Sequence, residues 1–178
     1  MNNIQKVFYT LLSFVGLLII VGLILPDNAH IERKINIKAN ASAIFPHINS
    51  MKAFHQWSPW TVTDPNTQYD FSGPESGINS EMIWSNRSSS SGRGSQIITH
   101  VVKNERVDTI LDFGEETHGI SSFYLIEEHD GTQVTWTFDT KFGWDLFSRY
   151  IGLFMDKLIG PSYEKGLINL KVLVETKR

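Results

Sequence analysis

The sequence predicts an α+β fold in which an antiparallel sheet packs against a long C-terminal helix, with a transmembrane helix at the N-terminus. Three patterns predict it. Residues 7–25 form an apolar run without charge, residues 68–138 contain short runs of alternating apolar and polar residues, and residues 144–175 repeat apolar residues at intervals of three and four. Alternation is typical of strands, and the three-and-four interval is typical of helices.

Composition limits the possible functions. The chain has 178 residues, a formal net charge of −3 and no cysteine. This length fits one domain with a substantial core once the N-terminal run is set aside. Lysine and arginine are not clustered as nucleic-acid binding requires, so no nucleic-acid partner is expected. Without cysteine there are no disulfides, thiolate nucleophiles or cysteine-based zinc sites, so packing alone must hold the fold.

The N-terminal apolar run has the length of a membrane span. At ~1.5 Å per residue, a helix over residues 7–25 covers roughly the ~30 Å hydrocarbon core of a bilayer. A cleaved signal peptide is the alternative, but it needs small residues before the cut, which residues 24–26 lack. We therefore expect an uncleaved anchor and short linker over residues 1–28, followed by a single domain over residues 29–178.

The orientation of this single-pass anchor is weakly specified. Lys6 and the α-amino group flank one side, and Arg33, Lys34 and Lys38 lie on the other. The positive-inside rule therefore hardly discriminates between the two orientations. Because a long C-terminal domain can be translocated whatever its charge, the extracytoplasmic side is favoured for the domain.

Short elements come after the anchor. Residues 30–38 alternate and predict a first strand, and Asn40 or Ser42 can cap a short helix behind it. A second short helix covers residues 51–57 and ends at Trp57, because the proline two residues later pushes the intervening serine out of the helical region.

Six alternating runs between residues 68 and 138 predict an antiparallel meander. The clearest turn signal is Asp130-Gly131, a two-residue hairpin turn. Counting back from this turn pairs Glu127 with Val134, Leu125 with Trp136, and Phe123 with Phe138. One face of the hairpin is then apolar and consists of Phe123, Leu125, Val134, Trp136 and Phe138.

One long amphipathic helix over residues 144–175 is expected to cover that apolar face. A kink is expected at Gly160-Pro161, because proline lacks the N–H that bonds one turn back and its ring crowds that carbonyl. The apolar positions that recur along the helix are Phe147, Tyr150 or Ile151, Phe154, Leu158, Tyr163, Leu167, Leu170 and Val174.

The order of strand, two short helices, antiparallel strands and long C-terminal helix resembles the helix-grip fold of the SRPBCC superfamily, the START-like proteins. HIERKINIKANASAIFPHINSMKAFHQWSPW looks like the opening of its polyketide cyclase/dehydrase-type branch, and GLFMDKLIGPSYEKGLINLK looks like the closing helix. YDFSGPESGINSEMIWS and TQVTWTFD also look like that branch. The resemblance spans residues 29–178. It implies a curved sheet around the C-terminal helix, with an elongated cavity that holds lipids, sterols or polyketides in relatives.

Trp57 and Trp60 flank a Ser-Pro pair at the end of the second short helix, and three roles are open for their rings. They fill the core, line an apolar cavity or contact a membrane surface. Each ring buries ~150 to 250 Å², so core packing is the default. The cavity wall overlaps with it, because one ring can pack on one edge and face a ligand on the other.

The expected ligand contacts are large residues on the inner face of the sheet and on the closing helix. His100 is included because its neighbours of the same parity, Ile98 and Val102, are apolar. A hydrogen-bonded structural or solvent-facing histidine is the alternative for that position. The full predicted set is Trp57, Trp60, Trp84, His100, Phe123, Leu125, Trp136, Tyr150 and Phe154.

The sequence contains no His-Glu-x-x-His motif, Gly-x-Ser-x-Gly elbow or phosphate-binding glycine loop, and its six histidines lack metal-ligand spacing. No catalytic residue, metal or cofactor is therefore assigned. The expected function is a membrane-tethered module that holds a small apolar or lipid-like ligand. Two alternatives stay open: an enzyme on an aromatic or polyketide-like substrate with His100 as general base, and an anchored domain that recruits an unspecified protein partner.

Overall fold

The computed structural model of the chain describes residues 2–61, 66–86, 92–114 and 118–176. Within these residues the strands form one seven-stranded antiparallel sheet in the order β1-β7-β6-β5-β4-β3-β2. The elements in chain order are α1 (Asn3–Ile24), β1 (Asn28–Ile37), α2 (Ala41–Ile48), α3 (Met51–Trp57), β2 (Gln68–Ser72), β3 (Glu81–Ser85), β4 (Arg93–Val102), β5 (Arg106–Asp112), β6 (His118–Glu128), β7 (Gly131–Lys141), α4 (Leu146–Gly152) and α5 (Met155–Thr176).

The sheet is curved, and α5 lies across its concave face with α2 and α3 beside it. The predicted fold class is therefore confirmed. The buried residues of α5 pack against those of the sheet in a single core, and on α5 they are Gly160, Tyr163, Gly166, Leu167, Leu170 and Val174. Burial of these side chains on a shared face is the main force that holds helix and sheet together.

The β6–β7 hairpin has the predicted faces but a different register. Phe123 pairs with Trp136, and Leu125 pairs with Val134. The predicted pairing was displaced by two residues, because Glu128 pairs with Gly131 and the turn is formed by the two residues between them. Since successive side chains alternate in direction, a displacement of two leaves every residue on its predicted face.

The C-terminal segment is two helices rather than one, which corrects the prediction. The break lies between α4 and α5, at Leu153 and Phe154, and α5 runs through Pro161 without interruption. The apolar residues near the break do not cover the sheet: Phe147, Phe154 and Leu158 are exposed. Instead, α4 packs against α1.

The cap of α2 also differs from the prediction. Asn40 is the N-cap residue, but its side chain makes no capping hydrogen bond. The backbone N–H of Ala41 donates instead to the Glu127 carboxylate on β6, at 2.9 Å. A carboxylate near the start of a helix satisfies a backbone donor and interacts favourably with the helix dipole, so a long-range contact replaces the local cap.

Strand register places the connections at two ends of the sheet. We call one the anchor end: it contains the junction of α1 with β1 and the exit of β7 toward α4, since Asn28 pairs with Lys141. The pairs Asp112–His118 and Ser85–Arg93 lie at the same end. The opposite end contains the β4–β5 and β6–β7 turns and the last turn of α5, where Glu175 accepts a hydrogen bond from the Lys38 backbone.

Candidate functional site

The centre of the concave face is filled by aromatic rings around Trp136. Phe123 stacks on Trp136 with ring centroids 4.9 Å apart, and Tyr163 of α5 lies 4.1 Å away on a tilted plane. Trp57 approaches Trp136 edge-on at 5.5 Å, and Trp60 does so at 5.8 Å. Offset and edge-to-face contacts of this kind stabilise packing beyond the area that they bury.

The Trp57 ring therefore packs in the core, whereas the Trp60 ring lies at its edge. Trp57 is 2% exposed, and its indole N–H donates to the backbone carbonyl of His47. Trp60 is 37% exposed and lies at the edge of the cluster, against Trp136 and Tyr163. Of these two tryptophans, Trp60 alone combines a packed ring edge with an accessible one, so a ligand contact is open to it and much less so to Trp57.

Buried polar side chains cross the concave face beside this cluster, and we call them the polar row: Gln96, Thr109 and Ser121. The Gln96 amide donates to the Thr109 hydroxyl, which donates to the Ser121 backbone carbonyl. The Ser121 hydroxyl accepts from the Trp136 indole at 2.7 Å and also hydrogen-bonds with the Tyr163 hydroxyl. Burial raises the pKa of Tyr163 above its usual range, so this hydroxyl stays protonated.

Toward the anchor end, aromatic side chains of the same face are less deeply buried. We call Tyr69, Phe71, Trp84 and Phe113 the outer aromatic group. The first three are partly buried, whereas Phe113 is 45% exposed and lies 6.0 Å from the Trp84 ring. Along β5, Val107 and Thr109 are fully buried but Leu111 is only half-buried. The concave face thus becomes more accessible toward the anchor end.

His55 of α3 is the titratable side chain at this wall. Its ring lies 4.4 Å from Tyr69 and 5.5 Å from Phe71, and the Thr61 hydroxyl is 3.2 Å from its Nδ1. Burial lowers the pKa of His55 below its usual range. The imidazole is therefore neutral near pH 7, with one nitrogen able to accept a proton.

The predicted ligand contacts fall into two groups. Phe123, Leu125 and Trp136 are buried on the concave face, Trp57 and Trp60 lie in the aromatic cluster, and Trp84 belongs to the outer aromatic group. His100, Tyr150 and Phe154 lie outside the interior. Tyr150 sits between α4 and α1, and Phe154 is 55% exposed after the end of α4.

The inward orientation predicted for His100 is wrong, because β4 is bulged. Ile98 pairs with Thr109 and His100 with Asp108, so Thr99 is an extra residue opposite β5. A bulge breaks the alternation on which the prediction relied. Ile98 is fully buried whereas His100 is exposed, so His100 has no role in the interior.

Ser121, Gln96 and Thr109 were not among the site residues predicted from the sequence. Ser121 has the parity of Phe123 and Leu125, and Gln96 has that of Ile98, so alternation placed both on the inner face. Their side chains are polar, so the apolar pattern did not identify them. Their role comes from hydrogen bonds between strands, which the sequence does not show.

A second arrangement of interest joins α1 to the domain. Arg149 of α4 is buried and donates to the backbone carbonyls of Gly143, Leu23 and Leu25 at 2.6, 3.2 and 3.2 Å. The Tyr150 hydroxyl donates to the Leu18 carbonyl at 2.6 Å. Because the last carbonyls of a helix lack intrahelical partners, the guanidinium caps α1 and complements its dipole.

The α1–α4 contact is close because Gly22 has no side chain. A Cβ atom there would lie 3.2 Å from Tyr150 and 3.3 Å from Leu146. A groove of about 390 Å³ runs between the two helices, lined by Val15, Leu18, Ile19, Leu146, Phe147 and Tyr150. α1 itself has 22 residues, and an 18-residue window within it has a mean hydropathy of 2.6, so the helix is long and apolar enough to cross a membrane.

Comparison with solved structures supports the fold. Norcoclaurine synthase from Thalictrum flavum, in complex with dopamine and hydroxybenzaldehyde, superposes with a TM-score of 0.63 and 9% identity over 89% of this chain and 93% of its own. A protein of unknown function from Staphylococcus aureus has a TM-score of 0.61 and 14% identity, over 85% and 97%. The Aha1 dimer from Colwellia psychrerythraea has a TM-score of 0.55 and 19% identity, over 83% and 96%.

Identities this low show similarity of fold alone. Among curated proteins, no sequence matches the chain. The family described as polyketide cyclase/dehydrase and lipid transport, however, matches residues 28–175, which is nearly everything after α1. The predicted resemblance is thus confirmed, and the chain belongs to the polyketide cyclase/dehydrase and lipid transport family, with a helix-grip fold.

Proposed function

We propose that the chain is a membrane-tethered module that takes a small apolar or lipid-like molecule into its concave interior from the anchor end. Residues 1–28 are the anchor and linker, and residues 29–178 are the binding domain. The observation that carries the proposal is the shared location of two features. The outer aromatic group, where the concave face becomes accessible, lies at the same end of the sheet as α1.

Contacts between α1 and the domain support retention of the helix. Arg149 and Tyr150 hydrogen-bond to carbonyls of Leu18, Gly22, Leu23 and Leu25. Cleavage after α1 would remove these acceptors and leave the guanidinium bound to the Gly143 carbonyl alone. A signal peptide that is discarded has no need of such a cap, so these contacts favour the anchor.

The chemistry of the interior supports binding of a mostly apolar molecule. The outer aromatic group offers ring faces and edges, and Trp60 adds a partly exposed indole. The polar row lies deeper and already satisfies its own hydrogen bonds, so it favours a ligand with few polar groups. An apolar ligand that partitions into the bilayer reaches the anchor end without crossing water.

Photolabelling tests this proposal. The full chain is reconstituted in vesicles that contain a diazirine-bearing fatty acid, and cross-linked peptides are identified by mass spectrometry. We expect labels on the outer aromatic group and on Leu111. The matched variant Leu111→Trp, which fills the accessible part of the face, should lose them. Labels confined to α1 and α4, equal in both proteins, would contradict binding in the interior.

A second candidate function is catalysis in the same interior, and His55 is the observation that favours it. Its neutral imidazole at the aromatic wall can act as a general base toward a bound substrate. The His55→Phe variant separates the two functions, because it keeps a ring against Tyr69 and removes the base. Catalysis predicts that turnover of an aromatic substrate disappears while binding persists. Unchanged turnover in this variant would exclude His55 as the base.

A further inference from the structure

We propose that α4 and its flanking residues form a membrane-embedded platform beside α1, so that the domain lies on the bilayer with its anchor end down. This inference rests on the proposed tether and adds a second region of membrane contact. The platform consists of the exposed apolar residues between positions 144 and 158, which are Trp144, Phe147, Ile151, Leu153, Phe154 and Leu158.

The platform exposes an unusual amount of apolar surface. The exposed fractions of its side chains range from 40% for Ile151 to 84% for Trp144. Soluble monomers rarely expose contiguous apolar patches of more than a few hundred Å², and larger patches mark contact with proteins or membranes. The occupant here is indicated by continuity, because the patch adjoins the apolar surface of α1 through the contact of α4 with α1.

The position of the α1–α4 contact along α1 indicates that the bilayer, rather than a protein, covers the platform. α1 has 22 residues, and at ~1.5 Å per residue it is about 33 Å long, close to the ~30 Å hydrocarbon core. Tyr150 binds the carbonyl of Leu18, six residues before α1 ends at Ile24, which is about 9 Å back along the axis. A helix that spans the bilayer therefore brings α4 into the same apolar layer.

Polar groups of the platform are arranged for such an environment. In the bilayer interior, backbone and side-chain donors must find partners within the protein. The Tyr150 hydroxyl and the Arg149 guanidinium are bound to carbonyls of α1 and Gly143. At the start of α4, the Asp145 carboxylate accepts from the backbone N–H groups of Phe147 and Ser148. The outward surface thus presents mostly apolar side chains, with Trp144 suited to the membrane interface. Its charged border lies at the start of α5, where the exposed Asp156 carboxylate is paired with Arg33 and Lys157 is exposed.

The groove between α1 and α4 fits the same occupant. It measures about 390 Å³, opens outward and is lined by apolar side chains together with Tyr150, whose hydroxyl is already bound. A lipid acyl chain has the shape and polarity to lie in it. The bilayer that surrounds α1 then also fills the gap that the two helices leave.

Site-specific fluorescence tests the platform, and the absence of cysteine makes it direct. Single variants Phe147→Cys and Phe154→Cys of the full chain are labelled with an NBD fluorophore and reconstituted in phosphatidylcholine vesicles. The matched control is Ile78→Cys, an exposed apolar residue in the β2–β3 connection at the opposite end. We expect blue-shifted emission at positions 147 and 154, and quenching by acyl-chain nitroxides about fivefold stronger than at position 78.

Flotation of the vesicles separates this inference from the tether. If the protein floats and resists carbonate extraction but positions 147 and 154 are as water-exposed as position 78, the platform is wrong and the tether stands. If the protein does not float, both are wrong. A Phe147→Glu/Phe154→Glu variant gives a further check: it should float through α1, while a label at Leu158→Cys loses at least half of its quenching. Unchanged quenching would overturn the platform.

Discussion

A Cβ atom on Gly166 of α5 would lie 2.6 Å from Cζ3 of Trp136, so the tryptophan ring occupies the space that a side chain at position 166 would need. The ring cannot move aside easily, because Phe123, Trp57 and Tyr163 surround it. The distance between α5 and the sheet at this point therefore depends on the absence of a side chain at position 166.

This contact predicts that Gly166→Ala destabilises the protein. Alanine favours the helix by about 1 kcal/mol over glycine, but overpacking a rigid core costs about 1 to 3 kcal/mol. We expect a net loss of about 1 kcal/mol in the free energy of unfolding, measured by denaturation of the full chain in detergent micelles. Lys165→Ala, at the adjacent exposed position, is the control and should change little. A more stable Gly166→Ala protein would show that the aromatic rings around Trp136 rearrange to make room for the methyl group.

The Ser121 hydroxyl is the second target, since the Trp136 indole and the Tyr163 hydroxyl both bind it. Ser121→Ala leaves a buried indole N–H without its acceptor, which costs about 1 to 3 kcal/mol in the free energy of unfolding. Ser122→Ala is the control, because Ser122 is buried in the same strand but faces the other side of the sheet. Equal losses in the two variants would contradict a specific role for the hydroxyl.

His55 predicts a pH dependence. The pKa of His55 is lowered by burial, so between the folded value and the ordinary value of 6.5 the unfolded chain binds more protons than the folded one. The free energy of unfolding therefore decreases as pH falls below about 6.5 and stops decreasing below the folded pKa. His55→Phe should lose less stability than the wild type between about pH 7.5 and pH 5.5 in urea titrations.

His129→Gln controls for the other histidines, because the His129 side chain is fully exposed. Its pH dependence should match that of the wild type. If His55→Phe also matched the wild type, the histidine would titrate alike in both states, and water would reach the wall at Tyr69 more freely than the packing of these rings implies.

The Arg149 cap predicts that the junction loosens when the guanidinium is removed. Arg149→Met should lower the free energy of unfolding by about 2 to 3 kcal/mol, because the carbonyls lose a charged donor. Limited proteolysis of the full chain should then cut between α1 and β1. Arg149→Lys should rescue only part of this loss, since an ammonium group cannot bridge several carbonyls in fixed directions. Arg93→Met, at an exposed position, should leave the junction resistant.

The fold could be predicted from the sequence because its signals are local. The alternation in β6 and β7 assigned Phe123 and Trp136 to the inner face. This assignment was correct even though the predicted register was displaced by two residues. The turn itself was misjudged because Gly131 is needed for a reason outside the hairpin: its position leaves no room for a Cβ beside the backbone of Ile37. Such a requirement arises only after β1 has packed against β7.

The predictions for the C-terminal segment and for His100 in β4 were wrong for a related reason. Phe147 and Leu158 have helical spacing. Such spacing shows which face of a helix is apolar, but it does not show which part of the protein packs against that face. Here the partner is α1, with the membrane as the proposed outer layer, rather than the sheet. At His100, one inserted residue reversed the direction of the side chains beyond it, and a bulge depends on strand pairing that parity does not contain.

The junction of α1 with the sheet has a mechanical consequence. Only Leu25, Pro26 and Asp27 separate the helix from β1, the Asp27 carbonyl accepts from the Phe142 backbone, and Arg149 holds the last turn of α1. These contacts couple α1 to the sheet, so we expect a change in the tilt or rotation of α1 to turn the sheet with it. If α1 spans the bilayer as proposed, a thinner or thicker bilayer, which alters helix tilt, would reorient the accessible anchor end of the concave face. Local lipid composition would then change the direction in which that end faces.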